Sequence, residues 1–578
     1  MSRAAPARRR LVPFLLAPFL LGCLLVLSGC GLPLPEDVQR PGAVAAGSQA
    51  AGDIRVLPPG PRGDSTPEAF VEGFLAAQSS PDNSHAIARE FLAPGTRWDD
   101  GAGLMVYDPA TLNPATRAGD ESTVVVTANV TGEVRADGSY DATPRLLRDT
   151  YSLRKSPGGL QLVGVPPGLR LAVADRDRSF AARNVFFLAP SYGLTSDTPH
   201  LVADRVFLNT SRELAQSLVE HLLGGPSSSI AGAVESAVPT GSRLLAPVTT
   251  QDGTTTVSLS GQALALGQPA RAQLAAQLVW TLRQLGPEFQ RLQLLSGGQI
   301  LAVGGHADPQ DRTDWAEYDP DGIAPGAPLF YVDGGALRSL AAAADTLPRS
   351  SAATDGTLRI VEAAVSPSGG QLGLLTARGE LRIGPRGGPF PVRLTDEGLS
   401  SPSWGSGEQG LWVLRKGLVV LVPDSGVAVA VPVVGTGSGP FSAIRVSRDG
   451  ARVALVADKR LWVGRIEKVQ SGLRIGGLHE VAPGLAGVTG VAWESGTTLV
   501  VLARFGTQLL LPVRVAVDGS VVVSAGRAGV VGTPNALAAA PGRPLVLAAV
   551  DGATERLLRD DGRFFQVGPV GAKPVYPG

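Results

Sequence analysis

The stretch Ala364-Val365-Ser366-Pro367-Ser368-Gly369, followed by Leu372-Gly373-Leu374-Leu375, decides how most of this chain folds. An apolar run, a polar turn and a second apolar run make one β-hairpin. The unit then recurs. Pro402-Ser403-Trp404-Gly405-Ser406-Gly407 precedes Leu411-Trp412-Val413-Leu414, and Arg445-Val446-Ser447-Arg448-Asp449-Gly450 precedes Val453-Ala454-Leu455-Val456. Val491-Ala492-Trp493-Glu494-Ser495-Gly496 precedes Leu499-Val500-Val501-Leu502, and Leu537-Ala538-Ala539-Ala540-Pro541-Gly542 precedes Leu545-Val546-Leu547. Aligned on Val365, Trp404, Val446, Trp493 and Ala539, the units lie 39, 42, 47 and 46 residues apart. A period of about 40–50 residues, with two strands about a polar turn in each, marks a β-propeller. Asp333-Gly334 and Asp551-Gly552 supply outer hairpin turns. The stretch 329–578 fits five to seven blades, and about six are expected.

The repeated turn resembles the W-S-P-D-G turn of TolB-type propellers. Upstream, Arg183 to Leu188 and Arg205 to Leu208 read as strands, and Leu214 to Leu223 as an amphipathic helix ended by Gly224-Gly225-Pro226. Val238-Pro239-Thr240-Gly241-Ser242-Arg243-Leu244-Leu245, then Val257-Ser258-Leu259-Ser260, then a helix from Ala270 to Leu285 carrying Trp280-Thr281-Leu282, complete the segment. This order resembles the GerMN domain of sporulation and germination proteins. That family runs through Leu-x-Gly-Pro, an IP-x-G-x-x-Leu turn, a V-x-L-S strand and a (Y/W)-T-L helix. Val238 replaces the Ile. The domain is expected over 183–310.

Residues 66–182 read as an α+β domain. Thr66-Pro67-Glu68 is an N-cap, a proline and an acid in the first turn of a helix. Phe70, Val71, Phe74 and Leu75 give that helix one apolar face. A second helix is expected from about Ser84 to Leu92. The period then changes to two: Ser122 to Tyr140 is β-rich with a turn at Asp137-Gly138, and Tyr151–Leu153 and Leu160–Val165 flank Pro157-Gly158-Gly159 as a hairpin. Helices followed by a meander resemble the cone-shaped fold of nuclear transport factor 2, an NTF2-like domain.

At the N-terminus Arg3, Arg8, Arg9 and Arg10 precede an apolar stretch from Leu11 to Leu27, the pattern of an export signal over 1–29. Pro13 and Pro18 interrupt it, and it is short for a spanning helix. It ends in Leu27-Ser28-Gly29-Cys30, which resembles the lipobox of bacterial lipoproteins. That resemblance implies cleavage before Cys30, acylation of its thiol (palmitate being one such chain), and a lipid anchor on the extracytoplasmic face of the cell membrane. An uncleaved anchor helix with an incidental Cys is the competing reading; the small-residue pair at the cleavage position speaks against it. Residues 30–65, rich in Pro, Gly and Ala, read as a flexible tether.

The two Cys, at 23 and 30, both lie in this leader, so the mature chain would carry no free thiol or disulfide, and its stability must come from apolar cores. The 51 basic and 51 acidic residues balance, which leaves no field to attract nucleic acid or anionic lipid. Anchoring therefore rests on the lipid, and a stable anchor needs more than one acyl chain.

No catalytic set emerges from the pattern. The five His (His85, His200, His221, His306, His479) lack zinc-motif spacing. Ser152-Leu153-Arg154-Lys155 matches S-x-x-K but sits in a strand-like segment, without the helix start that nucleophile needs and without K-T-G. Gly405-Ser406-Gly407-Glu408-Gln409-Gly410 matches G-x-G-x-x-G but lies between propeller strands, not at a strand-to-helix turn. Asp308, Asp311, Asp314, Glu317, Asp319 and Asp321 lack calcium-loop spacing and read as a solvated linker over 311–328. Trp404, Trp412, Trp462 and Trp493 are expected between blades, and Trp280 in the GerMN core. No enzyme, metal or cofactor is expected.

Lipobox, α+β domain, GerMN domain and propeller, in that order, resemble the LpqB lipoprotein family of actinobacteria. The resemblance implies a non-enzymatic accessory of the MtrA–MtrB two-component system that contacts the extracytoplasmic domain of an MtrB-like sensor kinase. It assigns no contact residue; only Cys30, the lipidation site, carries over. The alternative is a solute- or glycan-binding lipoprotein that uses its propeller as a ligand sensor.

Overall fold

The computed structural model describes residues 58–578, apart from 109, 191–199, 211–212, 324–325, 341–350, 406–409, 424–425, 436–438, 471 and 507–508. Cys30, the leader and the tether up to residue 57 lie outside the described residues.

The first domain opens with the helix Pro67–Ala77, capped by the Thr66 hydroxyl accepting from the Ala69 amide at 3.2 Å. A second helix, Asp82–Arg89, follows. The apolar face of the first helix (Phe70, Val71, Phe74, Leu75) is buried against Val124, Val126, Tyr151, Leu153, Leu162 and Leu171 of one sheet. The strand order there is Gly159–Gly164, Arg145–Ser156, Glu121–Val134, Leu104–Tyr107, Leu169–Ala172. Only the last pair is parallel. Along Glu121–Val134 buried residues alternate with less buried ones, as one packed face requires.

The second domain pairs Phe180–Leu188 with Leu201–Asn209 and packs the helices Leu214–Gly224 and Gln268–Leu282 against them. The long helix starts at Gly267 with Pro269 in its first turn. Its buried polar residues serve the outer edge of strand 180–188. Thr281 Oγ1 accepts from the Phe186 amide at 3.1 Å, and Gln277 donates to the Phe186 carbonyl at 2.9 Å while accepting from the Ala237 amide at 2.7 Å. Beside the bridge that Leu188 makes with Glu235, this edge is thereby satisfied by side chains. A second sheet carries Thr254–Leu259 parallel to Arg291–Ser296.

The expected solvated linker is a correction. Gln310–Asp311 pairs with Arg291–Leu292 at the edge of that second sheet. Trp315 is 1% exposed and joins the core of the second domain with Tyr318. Trp280 donates its indole N–H to the Trp315 carbonyl at 2.8 Å. The acidic residues had masked two aromatic side chains whose burial outweighs the polarity of the run.

Six sheets then form the propeller among the described residues. Their innermost strands are Ile360–Val365, Leu399–Trp404, Phe441–Val446, Ala486–Ser495, Thr533–Ala538 and Ala572–Val575. Each abuts the next, and Ala572–Val575 abuts both Thr533–Ala538 and Ile360–Val365, so the ring is closed. Ala572–Val575 pairs with Leu329–Asp333, the first propeller strand in sequence, and completes the first blade from the far end of the chain. Six apolar clusters fill the six seams between neighbouring blades. Trp412, 0% exposed, packs from the third blade onto Ile444, Val453 and Leu455 of the fourth.

Candidate functional site

The propeller channel has two mouths of different character. One lies where the inner strands end in their polar turns. It is lined by Trp404, Arg448, Trp493 and Tyr576, together with Asp321 from the segment leading out of the second domain. Asp321 Oδ1 accepts from the Gly496 amide at 2.9 Å. Burial, joined by repulsion from Asp449 and Asp319, pushes its carboxyl up to about 6 against that hydrogen bond and the charge of Arg448. Arg448, pushed down to about 10 by burial, donates to the Pro577 carbonyl. Residues of both propeller ends therefore occupy this mouth.

The other mouth is lined by propeller residues alone, around a cavity of about 110 Å³. Glu362 there accepts from the Ser401 amide at 2.8 Å and pairs with Lys573 at 3.0 Å. Ser401 stands at φ 55°, which turns its backbone amide to that carboxylate. Its hydroxyl accepts from the Ile444 amide at 2.9 Å and from Arg445 Nη1 at 2.7 Å. Arg445 reaches into the channel and lines both cavities. Burial holds its guanidinium below the usual arginine value, with the charge of Glu362 opposing.

A second feature is the seam joining the three domains. The turn Ser447–Arg452 of the fourth blade enters the second domain: Ala451 is 0% exposed and belongs to that domain's core. Arg452 donates to the Ala203 carbonyl at 2.7 Å and to the Gly496 carbonyl at 3.3 Å. Arg205 pairs with Asp518 of the fifth blade at 3.0 Å, and Arg465 donates to the Ser228 carbonyl at 2.7 Å. The first domain joins through Asp137, which accepts from the Ser228 amide at 2.7 Å. Burial raises the Asp137 carboxyl, but bonds from Ser139 and Ser228 outweigh it and set it at about 2. Tyr140 lies 5.5 Å from the Phe207 ring, with the Arg176 guanidinium 5.1 Å over the latter. Asp204, 1% exposed, is raised by burial, and Ser227 and Ser229 donate to it.

The residues weighed for chemistry are scattered. His221, half-buried on its helix, faces Gly138 of the first domain. His306 stacks on Trp315 at 4.0 Å. Ser152 and Lys155 lie in the strand Arg145–Ser156. Of the G-x-G-x-x-G run, 406–409 lie outside the described residues, while strands end at Trp404 and begin at Leu411 on either side. Three carboxylates of the acidic run bond locally, Asp311 accepting from Thr313, Asp314 from the Asp311 amide and Asp319 from the Asp321 amide, while Asp308 accepts from Gln293 and Asp321 from Gly496. Sequence reasoning missed Glu362, Arg445 and Lys573. Each is a charge in or beside an otherwise apolar inner strand, which is the signal that points to them.

An α+β domain, a GerMN-type domain and a six-bladed propeller, sewn together by buried polar contacts, define a class of multidomain propeller proteins. Residues 60–177 match the family described as Lipoprotein LpqB, N-terminal domain, and residues 335–577 match Lipoprotein LpqB beta-propeller domain, together more than half of the 578 residues. Residues 184–302 match Sporulation and spore germination. Lipoprotein LpqB of Mycolicibacterium smegmatis is 29% identical over 84% of this chain and 86% of that protein. Lipoprotein LpqB of Streptomyces coelicolor is 28% identical over the whole of both. The solved TolB from Acinetobacter baumannii overlays on 44% of this chain and 67% of its own, at 14% identity and a TM-score of 0.35. The chain belongs to the LpqB lipoprotein family.

Proposed function

We propose that this chain is a membrane-anchored extracytoplasmic lipoprotein that acts without catalysis, as an accessory of a sensor histidine kinase of the MtrA–MtrB type. One observation carries the reading furthest. Arg452 and Arg205 fasten the propeller to the second domain through buried and half-buried bonds and Arg465 through an exposed one, and the three domains make one compact unit. Such a unit can present a fixed surface to a partner. It biases a two-state kinase by binding one state better than the other, and equal binding to both would regulate nothing. Among the described residues no helix is long and apolar enough to cross a membrane, and the lipid on Cys30 is the proposed anchor.

Titration calorimetry between the full chain in detergent and the folded extracytoplasmic domain of the kinase tests the reading. Micromolar or tighter binding supports it. Absence of heat at high concentration of both sinks it.

A further inference from the structure

We infer that the propeller mouth around Arg445 is a binding site for a carboxylate group. Arg445 places a guanidinium inside the channel, where it is half-buried. Among the described residues its hydrogen bonds run through Nη1 alone, to Ser401 Oγ and the Ile444 carbonyl, both at 2.7 Å. No carboxylate of those residues stands within ion-pair distance of it. Glu362, the acid that acts on it, is already engaged by Lys573 at 3.0 Å and by the Ser401 amide at 2.8 Å. The mouth therefore holds two cations and one anion.

A cation taken out of bulk water without a counter-charge is costly, and structures retain one where an anion completes it. The guanidinium fork suits a carboxylate, which it grips through two parallel N–H bonds. Ser442, Thr489 and Asn535 line the same cavity and can bond the atoms next to the carboxylate. A cavity of about 110 Å³ admits an end group and not a whole ligand. The ligand is thus a molecule with a terminal carboxylate whose remainder projects outward, either a small free acid or the carboxyl end of a peptide. The site is independent of the kinase reading, since it needs no second protein.

The test is calorimetry of the full chain in detergent with sodium acetate, N-acetylglycine and N-acetyl-Gly-Gly-Gly as probes. Millimolar or tighter binding of at least one is expected. A peptide that binds about tenfold tighter than acetate assigns the site to chain ends, and equal affinities assign it to small free acids. Arg445→Gln should lower affinity at least about tenfold. Glu362→Gln keeps an acceptor for the Ser401 amide but removes the neighbouring negative charge, and should raise affinity several-fold. If Arg445→Gln fails to fold, Glu362→Gln still decides. No binding of any probe to the wild-type chain, unchanged affinity in a folded Arg445→Gln, or unchanged or weaker affinity in Glu362→Gln overturns the inference.

Discussion

Arg452 of the fourth propeller blade donates to the backbone carbonyl of Ala203, 249 residues earlier, at 2.7 Å. Both ends of that bond are buried, and the Asp449 side chain beside it is 0% exposed. Arg452 thus both neutralises a buried carboxylate and ties the propeller to the second domain.

Replacing Arg452 with Ala removes the cation beside the buried Asp449 side chain together with the bond to Ala203. A loss of about 3–5 kcal/mol of unfolding free energy is expected, measured by denaturant titration. Arg460→Ala breaks the exposed pair with Glu480 instead and should change stability by less than about 1 kcal/mol. Equal effects of the two would refute the role given to Arg452.

Asp321 makes the fold less stable as pH rises towards neutral. Its folded-state value, about 6, stands above its ordinary 3.8, so the folded protein holds the proton more tightly than the unfolded chain. The stability it contributes is full below about pH 4 and is lost as pH rises through 6. His85, His200 and His221, which burial shifts below the usual histidine value, act with the opposite sign, so the measurement is a difference. Asp321→Asn should gain stability over the wild type as pH rises from 4 to 7, by about 1–2 kcal/mol once partial exposure is allowed for. A constant difference across that range would refute it.

Gly519 sits at φ 75°, and a Cβ there would stand 2.7 Å from the Cβ of Ala142 in the first domain. Gly519→Val combines that clash with left-handed strain and should cost about 1–3 kcal/mol. Limited proteolysis should then cut between the first domain and the propeller sooner than in the wild type.

Trp412 fills the seam between the third and fourth blades. Trp412→Ala should cost about 3–5 kcal/mol in thermal or denaturant unfolding. Trp412→Phe keeps most of the volume and removes an indole N–H that has no partner among the described residues, so its cost should be much smaller.

Cys30→Ala should abolish metabolic labelling with fatty acid and leave the leader uncut or the protein released. Undiminished labelling would remove the anchor from the proposed function.

The propeller was legible because each blade repeats a local cue. Ser366-Pro367-Ser368-Gly369 and Ser447-Arg448-Asp449-Gly450 are turns whose residues dictate their own geometry, and the flanking runs are apolar enough to be strands on either count. Thr66 and Pro67 announced a helix for equally local reasons. Long-range facts were illegible. Nothing near Trp315 tells that its ring closes the second domain, and the acidic neighbours pointed the other way. Arg445 lies in a β-stretch like its neighbours, and only the packing of blade on blade puts it beside Ser401 and near Glu362.

The strand Ala572–Val575 closes the first blade beside Leu329–Asp333. Among the described strands of the ring it is the last in chain order, so synthesis supplies it after the five other blades. Until then five blades wait as an open arc, with the edge of Leu329–Asp333 that Ala572–Val575 will pair left bare. The ring therefore acts as a completeness check: a chain that stops before Ala572 keeps five blades, loses the closure and leaves a strand edge open to aggregation.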